Sequence, residues 1–137
     1  MARAEGMKIP FDTEDKIRPS LLEPAPFNSP LQLIEIETEE FSAVCPWSGL
    51  PDIAKVIIRY LPTGGKIIEL KSLKYYFVSY RSVGVYQERA TQLIKQHLDA
   101  ILETDVEVCT IYHTRGGINV QCTEGDLSKV VTQKEKI

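Results

Sequence analysis

The sequence predicts an α+β fold: antiparallel strands packed under two helices that cover one face. Three observations predict it. Apolar and polar residues alternate in extended runs on both sides of the chain's middle, while the middle repeats its apolar residues at helical spacing. The order of these runs is strand, hairpin, two helices, hairpin, and strands that bury one face beneath two helices form a single core. At 137 residues the chain fits one domain, since domains commonly run about 100–150 residues.

Up to Pro30 the closely spaced prolines of RPSLLEPAPFNSP bias their neighbours towards extended conformations and block helix continuation. Residues 1–30 are therefore read as an N-terminal arm, and 31–137 as the single folded domain. LQLIEIETEEFSAV sets Leu31, Leu33 and Ile36 against polar partners, the pattern of a half-buried strand. AKVIIRYLP is β-branched and aromatic, TGG reads as a turn, and KIIEL resumes an extended run, so the three together predict a hairpin. Leu73, Tyr76, Phe77 and Tyr80 then recur at three and four residues, predicting a helix over Ser72 to Ser82 that ends near Gly84. Ala90, Leu93, Ile94, Leu98, Ile101 and Leu102 predict a second helix over Gln87 to Glu103. VEVCTIYHT and INVQCT alternate as two strands around the turn RGG, and the polar tail GDLSKVVTQKEKI is expected to be loosely ordered.

A formal net charge of -3 argues against a chain whose main task is coating nucleic acid, which usually needs a basic excess. Cys45, Cys109 and Cys122 are an odd count without CxxC spacing, so neither a disulfide framework nor a zinc knuckle is suggested, and a reducing compartment fits. The first residues lack the apolar stretch of a signal peptide, and no apolar run approaches the roughly 18 residues of a membrane span. A soluble, cytoplasmic protein without membrane partners is expected.

VCPWSGLPD places Cys45 in a Pro/Gly-rich loop beside the chain's only Trp, with Asp52 shortly after. Free cysteine is among the most buried residue types, and a thiol attacks only as thiolate, which needs a base, a cation or a helix N-terminus nearby. Two readings stand on the residues alone. Cys45 is a loop cysteine and Asp52 a turn residue, or one loop delivers a nucleophile and a proton donor. Lys71 and Lys74, three apart, form a solvated face or present two ammonium groups to a phosphate-bearing ligand. Arg115 before Gly116 and Gly117 is a plain hairpin turn, or a cation on a backbone that a ligand can approach closely. Glu88 answers the dipole of the second helix, or accepts paired N–H donors from a guanine-like base. His97 and His113 have no Cys or His at ligand spacing; both are read as structural or surface residues, and no metal is expected.

Taken jointly and in this order, CPWSGLPD, ELKSLKYY, VYQE and TRGG resemble the NADPH-dependent 7-cyano-7-deazaguanine reductases, the nitrile reductases of queuosine biosynthesis, from about Phe41 to Ile118. Glu69 to Tyr75 carries the diagnostic signature of Glu, Ser or Leu, Lys, Ser or Ala, any residue, Lys, then an aromatic or Leu. The resemblance implies a tunnelling fold, with a four-stranded antiparallel sheet, two helices on one face, and assembly into rings, the short forms as two stacked pentamers. It implies that Cys45 attacks the nitrile carbon to form a thioimide and that Asp52 supplies the proton. It assigns Ile68, Glu69, Leu70, Gln87 and Glu88 to the deazaguanine, and Leu70, Lys71, Arg115 and Gly116 to NADPH. Many members have His where this chain has Gln87, whose amide cannot shuttle a proton at neutral pH. Direct nucleic-acid contact is not implied. Two rivals differ in outcome: an amidine-forming transferase that discharges the thioimide with an amine, and a purine- or pterin-binding member of the fold without catalysis.

Overall fold

The structure is a computed structural model that describes Arg3 and residues 5–128. Two short 3-10 turns, Glu14–Lys16 and Pro19–Leu21, precede the first strand. The elements that follow are β1 (Pro24–Pro26), β2 (Ile34–Val44), β3 (Pro51–Tyr60), β4 (Lys66–Ile68), α1 (Leu70–Val78), α2 (Gln87–Leu102), β5 (Glu107–Tyr112) and β6 (Gln121–Glu124). Four strands make one antiparallel sheet in the order β2-β3-β5-β6. Its inner face carries Ala54, Val56 and Ile58 from β3 and Val108 from β5, all buried. Leu73, Tyr76 and Phe77 of α1 and Ala90, Ile94, Leu98 and Leu102 of α2 close onto the same core. The α+β fold with an antiparallel four-stranded sheet and helices on one face is thus the observed architecture.

The second helix runs one residue shorter than its periodicity predicts, because Glu103 takes a left-handed conformation (φ 53°) that ends it. The first begins earlier, at Leu70, and stops at Val78. Glu69 starts it there: its carboxylate accepts the N–H groups of Lys71 (2.8 Å) and Ser72 (2.7 Å), satisfying donors that the first helical turn leaves open. After Val78 the chain tightens into i→i+3 turns, with the Tyr80 and Arg81 N–H groups donating to the Phe77 and Val78 carbonyls.

The hairpin expected from AKVIIRYLP and KIIEL does not form. Both edges of β3 are occupied, by β2 and β5, and the turn after Tyr60 lies so close to the end of α2 that a Cβ on Gly64 would sit 2.3 Å from the Leu102 carbonyl oxygen. The chain is turned off the sheet, and β4 pairs instead with the arm segment β1, Pro24 opposite Ile68. Prolines are tolerated there because β1 is an edge strand. Ile17 and Leu22 of the same arm are buried in the core. Of the tail expected to be loosely ordered, residues 129–137 lie outside the described residues. Among the described residues no helix is long and apolar enough to cross a membrane.

Candidate active site

The β2–β3 connection is a tight loop, closed by the Cys45 N–H donating to the Leu50 carbonyl (2.9 Å) and the Gly49 N–H donating to the Cys45 carbonyl (2.8 Å). Gly49 holds φ +71°, a conformation that favours glycine. The end of β2 is stitched to the segment leading into α2: the Val44 N–H donates to the Val83 carbonyl (3.0 Å) and the Val85 N–H to the Val44 carbonyl (3.1 Å). These contacts bring Cys45 to the N-terminus of α2. Asp52, the second residue of β3, is buried, and Arg115 from the turn after β5 forms an ion pair with its carboxylate. The other guanidinium nitrogen lies 3.5 Å from the Ser48 hydroxyl.

Cys45, Pro46, Asp52, Tyr86, Gln87, Glu88 and Arg115 line one cleft of about 380 Å³. A thiol, a carboxylate, a cation and a helix N-terminus therefore converge. Burial alone would push the Cys45 thiol up. The Ser48 N–H and hydroxyl, the Trp47 N–H and the Arg115 charge together outweigh it, and the thiol is held below its ordinary value. That is the environment in which a cysteine becomes a nucleophile. The helix end facing the cleft has no side-chain cap: its N-cap is Tyr86, whose hydroxyl accepts the Trp47 indole N–H (2.9 Å) and which, like Trp47, is exposed. Glu88 stands exposed and Gln87 half-buried on the first turn.

The other predicted residues lie elsewhere. The Ile68 N–H donates to the Tyr60 hydroxyl (3.1 Å) at the far end of β3, eight residues from Asp52 and so about 26 Å away along a strand. Ile68 is buried, while Glu69, Leu70 and Lys71 are exposed at the start of α1. Backbone hydrogen bonds from Lys71 and Ser72 hold the Glu69 carboxyl below the usual range. Gly116 (φ 58°) has open space where a Cβ would be, and Lys74 is 3.7 Å from Glu40. His97 Nδ1 is hydrogen-bonded with the Tyr76 hydroxyl (2.6 Å), and His113 is exposed. A second groove, of about 220 Å³, runs between β2 and α1 past Ile36, Leu70, Lys74 and Phe77; it holds no nucleophile.

Three residues of this region were given no role by the sequence reading. Ser48 looked like turn composition. Tyr86 left a signal, an aromatic residue where a strongly periodic helix would place a capping oxygen. Tyr112 sits on the inner face of β5, opposite Ala54, and its buried hydroxyl has no hydrogen-bond partner among the described residues.

The chain matches the family described as QueF-like protein over residues 51–129, a segment that begins just after Cys45. It is 55% identical to the NADPH-dependent 7-cyano-7-deazaguanine reductase of Thermotoga petrophila, over 93% of each chain. The reductase of the same name from Caldicellulosiruptor bescii is 47% identical, with 89% of this chain and 88% of that one covered. Among solved structures, the apo form of the archaeosine synthase QueF-Like superposes with a TM-score of 0.65 at 23% identity, covering 72% of this chain and 96% of that chain, a likeness of fold.

Proposed function

Because the chain belongs to the QueF-like protein family, we propose that it is an NADPH-dependent 7-cyano-7-deazaguanine reductase, an oxidoreductase that turns a nitrile into an aminomethyl group. The observation that carries the chemistry is the convergence of a Cys45 thiol held below its ordinary value with Asp52 and Arg115 in one cleft. The Cys45 thiolate adds to the nitrile carbon, forming a C–S bond, and the nitrile nitrogen takes a proton delivered through Asp52. The resulting protonated thioimide is a better hydride acceptor than the nitrile it replaces. Full reduction takes four electrons, so two NADPH and two protons in all, the one delivered through Asp52 included, yield one amine and two NADP⁺, the C–S bond breaking between the two reductions. Glu88 and Gln87, at the uncapped end of α2, hold the deazaguanine by its N–H edge.

NADPH supplies hydride when bound. The residues assigned to it fit a nicotinamide coenzyme in kind: Leu70 offers an exposed apolar surface (62%), Lys71 an exposed ammonium, and Gly116 an open backbone. Ile68 to Lys71 stand about a strand's length from Cys45, too far to act on a substrate held in the same chain's cleft. The complete site therefore joins the Cys45 cleft of one copy to the Glu69 end of another, in a homo-oligomer. The edges of β2 and β6, each unpaired on one side among the described residues, are where the sheet can continue into neighbours. Three unpaired thiols suit the reducing cytoplasm.

The test mixes purified protein with 7-cyano-7-deazaguanine, takes an intact mass, then adds NADPH and follows its absorbance. A substrate-sized adduct absent from Cys45→Ala, with two NADPH consumed per amine formed, is expected. An adduct without NADPH oxidation would move the chain to amidine formation, and neither signal would leave a binding role.

A further inference from the structure

The N-terminal arm reaches the cleft from behind. Ser82–Val85, the segment that leads into α2, is held on two sides: Val44 takes the Val83 carbonyl and the Val85 N–H, while Asp12 takes the Ser82 carbonyl (2.7 Å) and the Gly84 N–H (2.8 Å). Phe11 packs so closely on Gly84 that a Cβ there would be 2.2 Å from its ring. Gly84 has no positive φ, so close approach of Phe11 is what an added methyl would disturb. Two residues earlier, Ile9 backs the cysteine loop, its carbonyl oxygen 2.6 Å from where a Gly49 Cβ would be. Three residues after Phe11, the Glu14 carboxylate receives the Arg89 guanidinium on the first turn of α2 (2.9 and 3.3 Å). Four of the six residues 9–14, namely Ile9, Phe11, Asp12 and Glu14, thus touch, in order, the loop of Cys45, the lead-in to α2 and the helix end that carries Gln87 and Glu88.

We propose that residues 9–14 are a positioning strap for the reaction, with Phe11 on Gly84 as its central contact, setting the cysteine loop against the N-terminus of α2. This rests on the reading of Cys45 as nucleophile and Glu88 as substrate ligand. The strap touches neither substrate nor reacting atoms; it fixes the distance between the two elements that do. Misplacement of about an ångström between reacting groups is enough to cost orders of magnitude in rate, and the N–H groups that stabilise the Cys45 thiolate belong to the loop that Ile9 supports.

Gly84→Ala, Phe11→Ala, the double variant and Phe11→Leu separate positioning from bulk stability. Each is assayed for kcat and KM, and for the pH dependence of iodoacetamide labelling of each cysteine by peptide mass. The charged groups sharing the cleft with Cys45, namely Asp52 on β3, Glu88 on α2 and Arg115 after β5, are unchanged in all four. Both alanine variants are expected to lower kcat about tenfold or more and to move the labelling midpoint of Cys45 upward, with Cys109 and Cys122 unaffected. The double variant is expected to be no worse than the poorer single one, since both changes break one contact, and Phe11→Leu to recover most of the loss. Unchanged Cys45 labelling in both alanine variants would overturn the strap. So would equal changes at all three cysteines, which would mark general loosening. Labelling reads out whether or not the wild-type protein oxidises NADPH, so failure of the strap and failure of the reductase reading are told apart.

Discussion

The two ends of the sheet treat their helices in opposite ways. At the Tyr60 end, α1 opens on Glu69, whose carboxylate is engaged by the backbone of its own first turn. At the Asp52 end, α2 opens on Tyr86, which offers no capping oxygen, and its first turn faces a cleft shared with Cys45, Asp52 and Arg115. A helix N-terminus presents N–H donors and a partial positive charge. In α1 these are met by a residue of the same chain, so the end is capped before the neighbouring copy's cleft meets it; in α2 they are left for something else. The difference teaches where an anionic or electron-rich group from outside is favoured, and it is the end to which the thiol has been brought.

Substitutions at the two ends should therefore differ in kind. Asp52→Asn should have the largest effect, a fall in kcat of about 10²–10⁴-fold with unchanged unfolding, read by NADPH absorbance; near-normal turnover would remove Asp52 from proton delivery. Glu88→Gln should raise KM by about 10- to 100-fold, the worth of a hydrogen bond to a charged group, and leave the melting temperature in place. If stability fell instead, Glu88 would be doing for α2 what Glu69 does for α1, and the contrast would disappear. Glu69→Ala should act on stability as well as on the site it shares with a neighbouring copy, lowering the unfolding free energy by about 1 kcal/mol as cap loss does, measured by urea titration. No change there would mean that the cap contributes nothing to the fold.

The parts of the fold legible in the sequence are those set by local pattern. The 16 residues of α2 repeat their apolar positions cleanly enough to fix both ends within a residue, and β3 and β5 alternate along their length. The β1–β4 pairing was not legible. A TGG turn signals a hairpin locally, but whether the flanking runs pair depends on whether β3 has a free edge, which is decided by strands far away in sequence. The same holds for the site. Cys45, Asp52, Glu88 and Arg115 were singled out as residues, with the motifs' resemblance supplying their roles; what draws them together are contacts such as Arg115 to Asp52, 63 residues apart, and Trp47 to Tyr86, 39 apart. No spacing rule spans such distances.

The Tyr112 hydroxyl beneath this site gives the chain an untapped margin. A buried polar atom without a partner costs about 1–3 kcal/mol, several times the contribution of a typical surface contact, and phenylalanine would fill the same space without it. Among the described residues the core thus carries one polar oxygen that a phenylalanine would not, on the strand that leads to Arg115. Engineers seeking a hardier version would start at that oxygen.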